Sequence, residues 1–333
     1  MAELVKAFGT SHSPALNSTV EDYHQHADID RGASHWKRTL MDKDGNVSTF
    51  EELIEKAPDW MADAITDKKI GDRVDKCQEN IARMAADVNG ADLDALIIIG
   101  DDQQEQYFSD NMPAFIVYHG ETIRNTTIEL AEGAPQWWQR ARSQYHEEDG
   151  PKDYPVACEL SKHMIDSLLD QEFDISVSDE LRFERGESHS FGFYHRRLAN
   201  GNAVPIVPIS QNTYYPPNQP RPKRCYDFGR AIRQSVESWK ADAKVGIMAS
   251  GGLSHFTIDE ELDRGVMKAL EEKDKDALIS IPLNKLNTGN SEIRNWITVA
   301  GAAEDLEMVW SDYVPCYRSL AGTGCAMAFA VWS

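Results

Sequence analysis

An α/β fold is what the chain predicts: a single domain with a central, largely buried mixed sheet flanked by helices, and an active-site cleft at the strand ends. Three observations predict it. Short apolar runs at residues 4–8, 95–99, 203–209, 245–249 and 325–332 are rich in Val, Ile or Phe or bounded by Gly and Pro, as buried strands are. Stretches of helical period lie between them. Polar, acidic and glycine residues gather where the apolar runs stop. Strands alternating with helices argue a sheet covered on its faces.

The first run ends in Gly9-Thr-Ser-His12-Ser-Pro14, and Pro14 cannot continue a central strand. A side chain at the C-terminal end of such a strand faces the crevice where α/β proteins bind ligands, which singles out His12 among ten histidines. Residues 17–69 are polar, rich in His and Asp, and weakly periodic; they read as an insertion or lid. Val74, Cys77, Ile81, Met84, Ala85 and Val88 then follow a helical spacing. The run at 95–99 exits into Gly100-Asp101-Asp102-Gln103-Gln104-Glu105, a crowd of oxygen donors suited to Mg, Mn or Fe(II). Residues 133–153, with Trp137-Trp138, have no clear period and read as a second covering segment.

His163 lies on a helix whose apolar face is Leu160, Met164 and Leu168, so a structural role rivals a chemical one. His189 sits in Glu187-Ser-His189-Ser-Phe-Gly192, a polar, glycine-flanked setting. Phe228, Ile232, Val236 and Trp239 mark another amphipathic helix. The run at 245–249 exits into Ser250-Gly-Gly-Leu-Ser-His255, whose glycines permit close backbone approach. Thr257-Ile-Asp-Glu260 fits a capping box, predicting a helix from about Thr257 with Leu262, Val266, Ala269 and Leu270 on its apolar face and Glu261 in its first turns.

Lys and Arg number 34 against 55 Asp and Glu, a net charge of −21. Such a surface repels phosphate backbones, so neither nucleic acid nor an anionic membrane is expected as a partner. No apolar run is long enough to span a bilayer, and residues 1–9 are too short and mixed for a signal peptide. The five cysteines are scattered and without a CxxC pair, as expected of reduced thiols in the cytoplasm.

Several blocks resemble the class III extradiol ring-cleavage dioxygenases, the family of the protocatechuate 4,5-dioxygenase catalytic subunit. They are Thr10-Ser-His12-Ser-Pro14-Ala-Leu16, Leu96-Ile-Ile-Ile-Gly-Asp-Asp102, Asn111-Met-Pro113-Ala-Phe115, Asn212-Thr-Tyr-Tyr-Pro216-Pro, Lys223-Arg-Cys225-Tyr with Phe228-Gly229, Ser250-Gly-Gly-Leu-Ser-His255 and, more weakly, Gly322-Thr-Gly-Cys-Ala-Met327. The resemblance implies Fe(II) held by two histidines and a glutamate, with O₂ and a catechol, gallate-like or related dihydroxy-aromatic acid as substrates. His12 matches the first histidine, and Glu261 resembles the glutamate, with Glu260 its rival. The second histidine falls in the family's Asn-Asp-His stretch, and counting back ten residues from Pro113 puts it on Gln103. The ligand set that the resemblance implies is therefore His12, Gln103 and Glu261, with Asp101, Asp102 or His255 able to complete it.

An amide in place of an imidazole is a harder, weaker ligand, which brings Mn or Zn into contention beside Fe(II). The resemblance assigns acid/base chemistry to His189 and His163. It also implies a dimer, and some relatives carry a small helical partner subunit. Arg196, Arg197, Arg224 and Arg294 lie near the matching blocks and are candidates for a substrate carboxylate. Two alternatives stand beside ring cleavage: non-oxidative metal-dependent chemistry on the same fold, and a non-catalytic subunit.

Overall fold

The computed structural model describes residues 1–32, 39–128, 132–182 and 184–333. In chain order the elements are β1 (Glu3–Thr10), α1 (Val20–Arg31), α2 (Phe50–Glu55), α3 (Met61–Ala64), α4 (Asp67–Asn89), β2 (Ala95–Gly100), β3 (Phe115–Tyr118), β4 (Thr122–Asn125), α5 (Gln136–Ser143), β5 (Lys152–Pro155), α6 (Cys158–Asp170) and β6 (Ser176–Ser178). They continue with α7 (His189–Phe193), β7 (Ile206–Gln211), α8 (Pro222–Ser238), β8 (Lys244–Ser250), β9 (His255–Thr257), α9 (Glu260–Glu271), α10 (Lys275–Ile279), α11 (Ile293–Ala302), β10 (Met308–Tyr317) and β11 (Thr323–Trp332).

Among the described residues one mixed sheet of nine strands runs in the order β10-β11-β1-β8-β2-β7-β3-β6, with β9 added against β11. Its centre is parallel: β8 pairs with β1 and β2, and β2 with β7. Antiparallel strands complete one side, with β11 against β1 and β10 against β11. Pleat period explains why the central strands read as continuous apolar runs. In β2, Ala95, Ile97 and Ile99 enter the core under α6, α8, α9 and α11, while Leu96 and Ile98 enter the opposite core under α4 and α7. Both faces are dry, so no position is free to be polar.

Helix α11 lies so close to α8 that a Cβ on Gly229 would overlap the Thr298 carbonyl oxygen. Only glycine allows that approach. All five predicted strands are present, the third beginning at Ile206 rather than residue 203. The helix expected near Thr257 begins at Glu260. Thr257 is instead paired in β9 with Thr323, and Asp259 caps the helix by accepting from the Leu262 N–H. The segment 17–69 carries α1, α2, α3 and the start of α4, each of the first two opened by a threonine capping box; its residues 33–38 lie outside the described residues. No helix among the described residues is long and apolar enough to cross a membrane, and the five cysteines are free.

Candidate active site

The C-terminal ends of β1, β2 and β8 open into a cavity of about 1410 Å³. Its floor is set by residues at or just beyond each strand end, where the sheet's hydrogen bonding stops and side chains turn to the crevice. His12 follows β1, Asp101 follows β2, and Ser250 ends β8.

One hydroxyl fixes the tautomer of His12. Ser250 has a single O–H, which it donates to the Ser190 carbonyl (2.8 Å). Its oxygen can therefore only accept from His12 Nδ1–H, at 2.9 Å. His12 Nε2 is left as a bare lone pair, buried and without a hydrogen-bond partner. It faces two buried carboxylates, Glu292 Oε2 at 3.5 Å and Asp101 Oδ1 at 3.8 Å. Asp101 Oδ1 is likewise buried without a partner.

Glu292 is the N-cap residue of α11. Gly252 N–H donates to its Oε2 (2.6 Å) and Tyr214 O–H to its Oε1 (3.1 Å). Burial opposes its charge, but the positive charges that His255 and His12 carry when protonated outweigh that and hold the carboxyl well below the usual range. Asp101 has less help. Burial, and then the negative charge of Glu292, push it up to about 6.

Two further histidines border this floor. His255 donates Nδ1–H to the Leu253 carbonyl (2.8 Å), which turns Nε2 toward Tyr214 O–H (3.2 Å) and Glu292 (3.3 Å). Gly289 packs against its backbone so closely that a Cβ would overlap it. The His189 ring lies 4.5 Å from that of His12. Its Nδ1 and backbone N–H both meet the Glu105 carboxylate, at 2.8 Å and 3.2 Å. Burial disfavours a charge on His189, yet Glu105 prevails and raises it to about 9. Glu105, also opposed by burial, is drawn down to about 2.

The expected residues separate clearly. His12 and His189 meet in the cleft. Gln103 borders it, with its amide nitrogen 3.5 Å from both Asp101 and Glu292. Asp102 faces away, accepting the backbone N–H groups of Glu105, Gln106 and Tyr107 and so shaping the loop. Glu261 requires correction: it is exposed in the first turn of α9. Its rival Glu260 is spent on Tyr317 and Arg264. The carboxylate that reaches His12 is Glu292. His163 is also corrected. It bridges α6 to α8 through the Ser235 carbonyl and Ser238 Oγ, outside the cleft. Glu292 was not singled out in the sequence, and Tyr214 stood there only within the Asn212-Thr-Tyr-Tyr-Pro216 block; the local mark of Glu292 is an acidic residue directly before a largely buried helix.

The model of the catalytic LigB subunit of aromatic ring-opening dioxygenase matches residues 66–324. A gallate dioxygenase of Pseudomonas putida is 35% identical over 113 residues, 32% of this chain and 31% of that protein. The 2,3-dihydroxyphenylpropionate/2,3-dihydroxicinnamic acid 1,2-dioxygenase of Azotobacter vinelandii is 28% identical over 177 residues, 53% of this chain and 48% of that one. Its counterpart in Comamonas testosteroni is 26% identical over 175 residues, 53% and 47%. The matched stretches thus span about a third to a half of those relatives. Since the family match takes in β2, β7, β8 and the helix that carries Glu292, the chain belongs to the family of the catalytic LigB subunit of aromatic ring-opening dioxygenases.

Proposed function

We propose that this cleft binds a divalent metal and opens the ring of a catechol-type aromatic acid with O₂, beside the two hydroxyls. The observation that carries the reading is the bare Nε2 of His12 facing two buried carboxylate oxygens. Three lone-pair donors converging without a proton between them call for a cation. Bonds of about 2.1 Å to one ion set its ligand atoms roughly 3–3.5 Å apart; His12 Nε2 lies 3.5 Å from Glu292 Oε2 and 3.8 Å from Asp101 Oδ1, and His12, Asp101 and His189 bring ligand atoms within 4.8 Å of one another.

The residues present fit a divalent metal, but they are not the ligand set that the family resemblance implied. His12, Asp101 and Glu292 are the proposed ligands, with Gln103 at their edge. Asp101 stands where the family's stretch has Asn, and it supplies a carboxylate in the place of the missing imidazole. Iron(II), when bound, would supply the electron transfer between the diol and O₂ that ring opening needs, and the oxygen-rich set also suits Mn(II) or Zn(II).

Around it the protein's own groups do the rest. His189 holds a proton at Nε2, poised by Glu105, and would pass it to a developing oxyanion. His255 and Tyr214 form a second proton-carrying pair on the opposite side. The wall of Trp138, Tyr145, Tyr214 and Phe256 would exclude water.

Metal analysis after anaerobic loading, followed by O₂ uptake over a catechol panel, tests the reading. Stoichiometric metal, lost in His12→Ala, together with O₂ consumption and a ring-opened product, is the expected result. A protein that binds no metal refutes it, and one that binds metal but consumes no O₂ with any diol favours the second reading. That second reading is non-oxidative metal-dependent chemistry; the observation favouring it is the excess of oxygen ligands. A dimer, a small helical partner and a cytoplasmic location complete the proposal, and sedimentation of the purified protein tests the first.

A further inference from the structure

The arginines nearest the family-like blocks are all engaged away from the substrate. Arg196 is held by Glu147 and Glu148, and Arg197 by Gln144 and Gln78. Arg224 donates to the Glu172 carbonyl, and Arg294 to the carbonyls of Pro220 and Leu286. Arg318 reaches the cleft wall but is clamped by Asp30.

Arg142 differs from all of these. It stands at the end of α5, half-buried, in the wall of the same cavity that holds His12. Among the described residues no carboxylate lies within ion-pair distance of it, and its Nε is buried with no hydrogen-bond partner. Trp138, four residues earlier on the same helix, lies under the guanidinium with its ring centre 5.7 Å away, which orients the fork at little entropic cost.

The absence of an acid partner is not for want of acids, in a chain of net charge −21. Those nearby are committed elsewhere, Glu105 to His189 and Glu187 to His195 and Asn125. His146, beside Arg142 in the wall, adds no charge: burial, and then Arg142 itself, lower it to about 4. The remaining charged groups of this wall, Glu184 and Arg185, are exposed at the rim. A buried guanidinium nitrogen without an acceptor is costly unless a ligand supplies one.

We propose that Arg142 is the carboxylate anchor of the cleft. It would take the acid group of an aromatic acid whose ring lies toward His12, and so set the preference for acidic over neutral substrates. The anchor deepens the ring-cleavage reading but does not depend on metal or turnover. It can therefore be tested with unreactive ligands.

Calorimetry on the metal-free protein with benzoate and 3-phenylpropionate, and with 3-phenylpropanol as the neutral counterpart, gives the primary readout. The wild type is expected to bind one of the two carboxylates in preference to the alcohol. Arg142→Met should weaken carboxylate binding by about 10–100-fold, the range for a charge-assisted pair, and Arg142→Lys should restore part of it. Equal binding of acid and alcohol, or equal carboxylate affinity in wild type and Arg142→Met, would overturn the proposal. A parallel loss for acid and alcohol would also overturn it, because that pattern means Arg142 acts through Glu105 and His189.

In the metal-loaded enzyme, the ratio of kcat/KM for an acidic catechol over a neutral one should fall by a similar factor in Arg142→Met. Carboxylate binding that depends on Arg142 without any ring cleavage would sink the reaction and keep the anchor. Ring cleavage with an unmoved ratio would do the reverse.

Discussion

At the scale of residues, the site is decided by where single protons sit. Because Ser250 spends its proton on Ser190, the neutral His12 ring carries its proton on Nδ1 and presents a bare Nε2, and Asp101 and Glu292 oppose it. Asp101→Asn keeps the shape and removes a charge, so it should lower metal occupancy at least tenfold by equilibrium dialysis, whereas Glu261→Ala should leave it unchanged. The pair His189–Glu105 sets a pH window for the metal-free protein. His189 is raised from 6.5 to about 9, so its contribution to stability is whole below about 6.5 and is lost as pH rises through 9. Glu105 is lowered from 4.5 to about 2, so its contribution is whole above about 4.5 and is lost as pH falls through 2. Thermal melting of chelator-treated protein should therefore decline between pH 6.5 and 9, and Glu105→Gln should flatten that decline. An unaltered slope in the variant would show that the pair is not the cause.

At the scale of elements, what was legible in the sequence was what is buried on both sides. β2 and β11 could be read because both faces are buried throughout, β1 and β8 because their apolar runs are buried apart from Lys6 and the first residues, and α4 and α8 because one face is buried. β10 was missed because it is the edge strand, half-exposed, and carries Ser311, Asp312 and Pro315. The capping box at Thr257 failed because strand pairing with β11 competes for the same backbone, and Asp259 can cap in its place. Glu292 was hidden for a different reason. Its partners Gly252 and Tyr214 lie 40 and 78 residues away in sequence, so no local pattern marks it, whereas exposed Glu261 lies close to a recognisable block. The α8–α11 contact gives a prediction at this scale. Gly229→Ala puts a methyl group into the Thr298 carbonyl, and the helices must separate. A loss of about 1–3 kcal/mol or more is expected in urea unfolding, with metal affinity also reduced because α11 carries Glu292.

At the scale of the whole molecule, the family-matched stretch and the N-terminal helices meet across one buried ion pair. Arg318, between β10 and β11, places a two-pronged guanidinium on Asp30 near the end of α1, at 2.6 and 2.8 Å. Both groups are almost fully excluded from water. α1 lies outside residues 66–324, and its His26 and Ile29 line the cleft. The pair therefore fastens a cover onto the site. Water exclusion makes the attachment unforgiving: removing one partner leaves a charge that neither solvent nor protein can satisfy. Asp30→Asn should cost about 3–5 kcal/mol in urea unfolding if α1 and the sheet unfold together. The double change Asp30→Leu with Arg318→Met, which removes both charges, should recover most of that loss. Limited proteolysis separates the two ways the single variant can fail. Early cleavage within 20–31, with the rest of the chain still protected, means that the cover detaches alone; uniform loss of protection means that cover and sheet form one cooperative unit, and the short, fully buried pair makes that second outcome the expected one.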